Sequence, residues 1–295
     1  MKRRYPIAGA VAIALVMLAV TAWGGDAVSA QEERDKTIEQ RLALYAPVEI
    51  PVAWELLDGN ETAALENIYR AARVMDEIFL RQVWKGNVEL RSDLAAKGWT
   101  KELKFFDINF GPWDRINDNE PFLTRLPKPD GAEFYPTDMT KKEFEDWVAE
   151  HPKDREAFEG TFTVIRRGAD QGGLVAVPYS EEYRDLLDRA AGYLRAAADL
   201  TANESLAKFL RSRAAAFASN DYFQSDMDWM DVKDNVIDVT IGPYEVYEDN
   251  LFNYKASFEA FVCIRDPKES VRLDGLKGYL VKICLLYTSP SPRDR

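Results

Sequence analysis

The segment Ile237–Ile264, which reads IDVTIGPYEVYEDNLFNYKASFEAFVCI, carries the clearest structural signal in the sequence. Two runs with strand-like alternation flank Glu248–Asn250, whose side chains favour a turn. Alternation along the first run places Glu245 and Tyr247 together on the face that points away from the core. The segment therefore predicts two paired strands with a carboxylate and a phenol side by side.

Glu245 and Tyr247 are the candidate ligand-binding residues of the sequence. A carboxylate and a phenol that project together from a strand suit a ligand with a positively charged group. The alternative is that Glu245 is an ordinary strand residue on the solvent side, as most surface glutamates are. The pattern alone leaves both interpretations open.

Helical periodicity dominates the rest of the chain. Asn60 is predicted to cap a helix that extends to about Trp84. Thr140 and Thr201 each begin a Thr-x-x-Glu capping box, and acidic residues follow Ser180 at another helix start. The helices on either side of Thr201 are expected to form an antiparallel pair, and the fold class is α+β, mainly helical. The predicted core face of the first helix consists of Leu65, Ile68, Tyr69, Ala72, Met75 and Phe79.

Four shorter segments give weaker signals. Apolar alternation predicts a strand at Phe105–Phe110, and Phe162–Ile165 with Leu174–Val177 predicts a hairpin. The segment Asp221–Asp234 holds several aspartates, but it lacks the turn glycine and closing glutamate of a calcium loop. An acidic loop is the preferred interpretation there.

Three stretches resemble the dipeptidyl peptidase III family, zinc-dependent exopeptidases that remove dipeptides from peptide N-termini. The strongest stretch is Thr240–Val262; NFGPWDR at Asn109–Arg115 and FYPTDMTKKEFE at Phe134–Glu145 resemble a bacterial and plant branch. The similarity extends from about Tyr45 to Ile283. It implies the N-terminal part of a two-lobed metallopeptidase with a small mixed β core.

The resemblance also implies roles for individual residues. In the family, the glutamate and tyrosine at the positions of Glu245 and Tyr247 help to hold the substrate's N-terminal ammonium and backbone. A buried contact of that kind contributes about 1.5–3 kcal/mol. One departure is Glu248, which stands where well-established family members commonly have a basic residue, so the substrate preference of this branch is expected to differ.

The family's zinc site needs a His-Glu-x-x-x-His helix and a carboxylate from a second helix. This chain has one histidine, His151, which lies in the polar stretch EHPKDRE and is interpreted as a solvated loop residue. The sequence therefore predicts no metal ligand and no catalytic residue in this chain. Zinc is expected only in the intact protein.

Both ends of the chain are predicted to lie outside the fold. Residues 1–30 read as a signal peptide, with a positively charged start at Lys2, Arg3 and Arg4, the apolar run Ile7–Val20 and a small-residue cleavage site before Gln31. A membrane anchor is the alternative, but the apolar run is shorter than the roughly 20 residues that span a bilayer. We expect a periplasmic or secreted protein that is not bound to the membrane after cleavage.

The C-terminal residues 284–295, CLLYTSPSPRDR, resemble translated sequencing-adapter DNA. The alternative is a native disordered tail, because Ser, Pro and Arg are common in such tails. On the first interpretation, residues 31–283 are the N-terminal part of a truncated dipeptidyl peptidase III-like domain, cut before the catalytic half.

Net charge and cysteine count limit the possible partners and covalent cross-links of the chain. The formal net charge of −12 argues against nucleic acid as a partner. When the tail is left out, Cys263 is the one cysteine of the sequence, so an internal disulfide is not possible. Cys263 is expected to be a small core residue.

Two functions remain: the intact protein is an exported zinc metallopeptidase with a peptide substrate, or a secreted helical protein that binds peptides or a partner without cleaving them.

Overall fold

The computed structural model describes residues 38–169 and 173–288. The predicted signal peptide at 1–30 and the tail residues 289–295 lie outside the described residues. Within the described residues the chain divides into two compact units, one formed by residues 38–50 with Gly86–Lys128, and one formed by Pro51–Lys85 with residues 129–169 and 173–288.

Helices make up most of the described structure. They are α1 (Gly59–Val83), α2 (Asn87–Ala96), α3 (Thr100–Asn109), α4 (Lys141–Glu150), α5 (Arg155–Glu159), α6 (Tyr179–Glu182), α7 (Arg184–Leu200), α8 (Glu204–Ser219), α9 (Phe223–Met230) and α10 (Pro267–Thr288). A short 3-10 helix lies at Trp54–Leu56.

The strands form three antiparallel pairs within the described residues. They are β1 (Trp113–Asp114) with β2 (Glu120–Pro121), β3 (Thr163–Arg167) with β4 (Leu174–Pro178), and β5 (Ile237–Glu245) with β6 (Ser257–Ile264). The predicted hairpin and the predicted strand pair are confirmed. The fold class, mainly helical α+β, is also confirmed.

The first unit combines α2, α3 and the β1–β2 pair. The Arg41 guanidinium joins Asp114 at 2.5 Å and Glu120 at 2.8 Å, which ties the segment before residue 50 to both strands. The predicted strand at Phe105–Phe110 is wrong, because α3 extends to Asn109. Phe105 and Phe106 are both fully buried; adjacent residues share the broad core face of a helix but alternate in a strand.

The start and the face of α1 both differ from the prediction. The helix begins earlier, because the Asp58 carboxylate accepts hydrogen bonds from the amides of Asn60 and Glu61 at 2.9 and 2.8 Å. Tyr69 is 58% exposed, so the predicted core face is wrong in part. The buried face follows alternating four- and three-residue steps instead: Ala64, Ile68, Ala71, Met75, Ile78 and Gln82.

The core of the second unit forms where α1 packs on α7 and β6, and α7 packs on α8. The α7–α8 pair is confirmed, but its cap is not Thr201. Asn203 caps α8 by accepting from the Leu206 amide at 2.8 Å, while the Thr201 hydroxyl donates to Glu61. Thr140 does cap α4, by accepting from the Glu143 amide.

The interpretation of Asp221–Asp234 as a loop is wrong, because α9 occupies its centre. Two of its aspartates are paired with cations from α8: Asp226 binds Arg213, and Asp228 binds Lys208 at 2.8 Å. These pairs balance the charges of Asp226 and Asp228 within the protein.

Cys263 is exposed, so the expectation of a small core residue is wrong. It lies opposite Asp238 on the outer face of the β5–β6 pair, whereas Ile237 and Val239 are buried on the other face. Across the described ranges, no helix has both the length and the apolar character needed to cross a membrane.

Candidate functional site

The end of the β5–β6 pair contains an irregularity that sets the candidate site. Pro243 lies opposite Phe258, but Glu245 lies opposite Ser257, so Tyr244 is an extra residue in a β-bulge. Directly opposed residues share a face, and residues two apart on one strand do too. Glu245, Ser257 and Glu259 therefore lie on one face of the pair.

The two residues singled out from the sequence lie at this end. β5 ends at Glu245, which is exposed, and Tyr247 belongs to the following turn with 78% of its surface exposed. Neither side chain is covered by apolar packing. Tyr247 is placed by the turn rather than by strand alternation, and its ligand-binding role stays a prediction.

Two further residues were not found from the sequence. Glu259 is half-buried, and its pKa is raised by burial and by the nearby charge of Glu245. Ser257 is buried, and its hydroxyl has no hydrogen-bond partner within the described part of the chain. Two carboxylates on one face favour a ligand that brings a cationic group. Finding them requires the strand register, which the hydrophobic pattern does not specify at a bulge.

Asp249 holds the turn that follows Tyr247. Its side chain is fully buried and accepts from the Tyr135 hydroxyl at 2.8 Å. One carboxylate oxygen also accepts from the amides of Leu251 and Phe252, and the other from the amides of Tyr254 and Lys255. A single carboxylate thus satisfies four backbone donors of the turn, which fixes the path of the chain from Glu245 to β6.

Lys255 anchors the far side of the same turn. Its ammonium is buried and donates to the carbonyl oxygens of Phe158 and Gly160 at 2.6 and 2.7 Å, and to the Thr163 hydroxyl at 2.8 Å. The Thr163 hydroxyl donates in turn to the Ala157 carbonyl. Burial lowers the pKa of Lys255 to about 7. Lys255 therefore attaches the turn to β3 and the residues before it, and its charge changes with pH near neutrality.

The described residues do not fit a zinc site. In residues 38–169 and 173–288, no group of three or more His, Cys, Asp or Glu side chains is arranged to hold a metal ion. His151 is half-buried and not a freely solvated loop residue; its ring stacks on Trp147, with 4.1 Å between ring centroids. Its Nδ1 lies 3.0 Å from the Trp147 carbonyl oxygen.

A family model and two solved structures agree on the family. The model of peptidase family M49 matches residues 133–280, half of the chain. A solved structure of DPP III from Caldithrix abyssi is 52% identical with a TM-score of 0.80, covering 83% of this chain and 47% of that one. A structure of dipeptidyl-peptidase III from Corallococcus sp. strain EGB is 44% identical with a TM-score of 0.79, covering 83% and 46%.

A plant protein is similar as well. Nudix hydrolase 3 of Arabidopsis thaliana is 37% identical over 295 residues, which cover 82% of this chain and 38% of the plant protein. This chain spans less than half the length of each of the three proteins. The resemblance to dipeptidyl peptidase III proteins is confirmed, and the matched segment includes β5, β6 and the turn between them. The chain belongs to peptidase family M49.

Proposed function

We propose that this chain is the peptide-docking part of an exported, zinc-dependent peptidase that removes dipeptides from peptide N-termini. Glu245 accepts hydrogen bonds from the N-terminal ammonium of the peptide, and the Tyr247 hydroxyl binds the adjacent backbone. The intact protein supplies zinc from outside this chain, and residues 1–30 direct export to the periplasm or the medium.

The docking proposal rests on the exposure of the polar residues at the end of β5. Glu245 and Tyr247 are both exposed, while the turn around them is held by the buried Asp249. A fixed turn with accessible polar groups binds a ligand without first having to become ordered. Glu259 adds a second carboxylate on the same face as Glu245, which favours a cationic group over a neutral one.

Replacing Glu245 with Gln tests this proposal, because it removes the charge and keeps the size of the side chain. The ratio of dissociation constants for N-acetylated and free-amine tetra-alanine amide measures the preference for an ammonium. An exposed ion pair contributes about 0.5–1 kcal/mol, so the ratio is expected to fall about two- to fivefold. The measurement is a low-salt NMR titration of this chain, where screening is weakest.

Asp238→Asn is the matched control. It removes the same charge from an exposed position at the other end of β5, so it corrects for the general attraction between an acidic protein and a cationic peptide. The control variant is expected to keep the ratio of the unsubstituted chain. Equal changes in both variants would show that Glu245 makes no specific ammonium contact.

A further inference from the structure

Arg213 reaches β5 from α8 as a fully buried cation. Its side chain is 0% exposed, and its guanidinium donates to the Asp226 carboxylate. The guanidinium carbon lies 5.5, 5.3 and 5.5 Å from the ring centres of Phe209, Tyr222 and Tyr244. Its Nε and Nη1 atoms have no hydrogen-bond partner in the part of the chain that the structure describes. Three aromatic rings therefore hold the guanidinium in place.

The guanidinium also lies directly against the backbone of β5. At Gly242 a Cβ atom would come within 2.5 Å of Nη1 of Arg213, and the φ angle of +146° favours glycine in any case. Tyr244, the extra residue of the bulge, follows two positions later and Glu245 three positions later. Arg213 thus contacts Gly242 and Tyr244, two of the three residues that precede Glu245 at the irregular end of the strand.

Stability alone does not account for a buried arginine at this place. Desolvating a guanidinium is unfavourable, and replacing a buried ion pair with apolar residues of similar volume is often neutral or stabilising. The partner Asp226 is 50% exposed, so water can solvate it when the arginine is absent. A methionine at this position would fill similar space among the three rings.

We propose that Arg213 is a positioning residue for the ligand-binding face. By packing against Gly242 and the Tyr244 ring, its guanidinium fixes the bulge, so that Glu245 stays opposite Ser257 with its carboxylate on the same face as Glu259. This inference rests on the proposed docking function and adds a specificity-determining contact that does not touch the peptide.

Arg213→Met tests the inference through the preference for a free amine. The ratio of dissociation constants for N-acetylated and free-amine tetra-alanine amide is expected to fall about two- to fivefold, to the value of Glu245→Gln. The urea midpoint of unfolding is expected to change little. Arg166→Met is the matched control: Arg166 binds Glu182 and the Glu133 carbonyl in the same unit, so that variant is expected to lose stability and keep the ratio.

Gly242→Ala gives an independent second variant. Its Cβ displaces the guanidinium and strains the backbone, so the ratio is expected to fall as in Arg213→Met. In the Arg213→Met background the same alanine is expected to reduce the ratio less, because the close contact is gone; such non-additivity is the mark of direct coupling.

The outcomes separate this inference from the proposed function. A preference lost in Glu245→Gln but kept in both Arg213→Met and Gly242→Ala would overturn the positioning role and leave the docking role standing. A preference unchanged in Glu245→Gln would overturn both. If Arg213→Met does not fold, the result for Gly242→Ala decides.

Discussion

Asp249→Ala is expected to destabilise the chain by about 3–4 kcal/mol, among the largest effects of any single substitution in it. The carboxylate accepts hydrogen bonds from four backbone amides and from the Tyr135 hydroxyl, and it is fully buried. Alanine leaves these donors without a partner where water has little access, and each unsatisfied buried donor is unfavourable.

The measurement is urea-induced unfolding, with hydrogen exchange at the amides of Leu251 and Tyr254 as a local readout. Those amides are expected to exchange much faster in the variant, because their acceptor is gone. Asp238→Ala is the control, since Asp238 is an exposed aspartate on β5 and its loss is expected to change stability by less than about 0.5 kcal/mol. Equal stabilities for the two variants would contradict the role assigned to Asp249.

Lys255 is expected to make the stability of the chain rise with pH above neutrality. Burial lowers its pKa in the folded chain to about 7, whereas the unfolded side chain keeps the ordinary value of about 10.4. Between these two values the unfolded chain binds a proton that the folded chain has released. The free energy of unfolding therefore increases with pH in this window, by at most about 1.4 kcal/mol per pH unit.

Comparison with Lys255→Met isolates this contribution. Unfolding is measured from pH 7 to pH 9.5. Above this range, buried tyrosines such as Tyr135 and Tyr179, whose pKa values are raised by burial, make stability fall with pH instead. The variant is expected to be less stable at pH 7, because three oxygen acceptors lose their donor. It is also expected to lack the upward slope. Parallel slopes in the two proteins would show that Lys255 does not titrate in this range.

The local chemistry of a segment predicted its local structure well. Residues Glu248–Asn250 were predicted to form a turn from residue type, and the turn is present. The dominant role of Asp249 could not be predicted in the same way, since its partner Tyr135 lies 114 residues away in the sequence. Similarly, the sequence predicts Asn60 as the cap of α1, whereas the observed hydrogen bonds show that Asp58 is the cap.

The hydrophobic pattern predicted the wrong element where it fitted the period of a strand and that of a helix equally well. Phe105 and Phe106 are adjacent aromatic residues, which a short alternating pattern assigned to a strand although both face the core from α3. The candidate site shows the same limit: Glu245 was found from strand alternation, but Glu259 and Ser257 join it only through the bulge at Tyr244. Arg213 carried no sequence signal, because its burial depends on Tyr222 and Tyr244, which lie outside α8, as well as on Phe209 of the same helix.

The most direct test of the docking proposal is a crystal structure of this chain with a bound free-amine peptide such as tetra-alanine amide. The peptide's N-terminal nitrogen is expected within about 3 Å of a Glu245 carboxylate oxygen, the usual distance of a charge-assisted hydrogen bond. An ordered peptide whose nitrogen points into solvent, or contacts another part of the chain, would contradict the central claim.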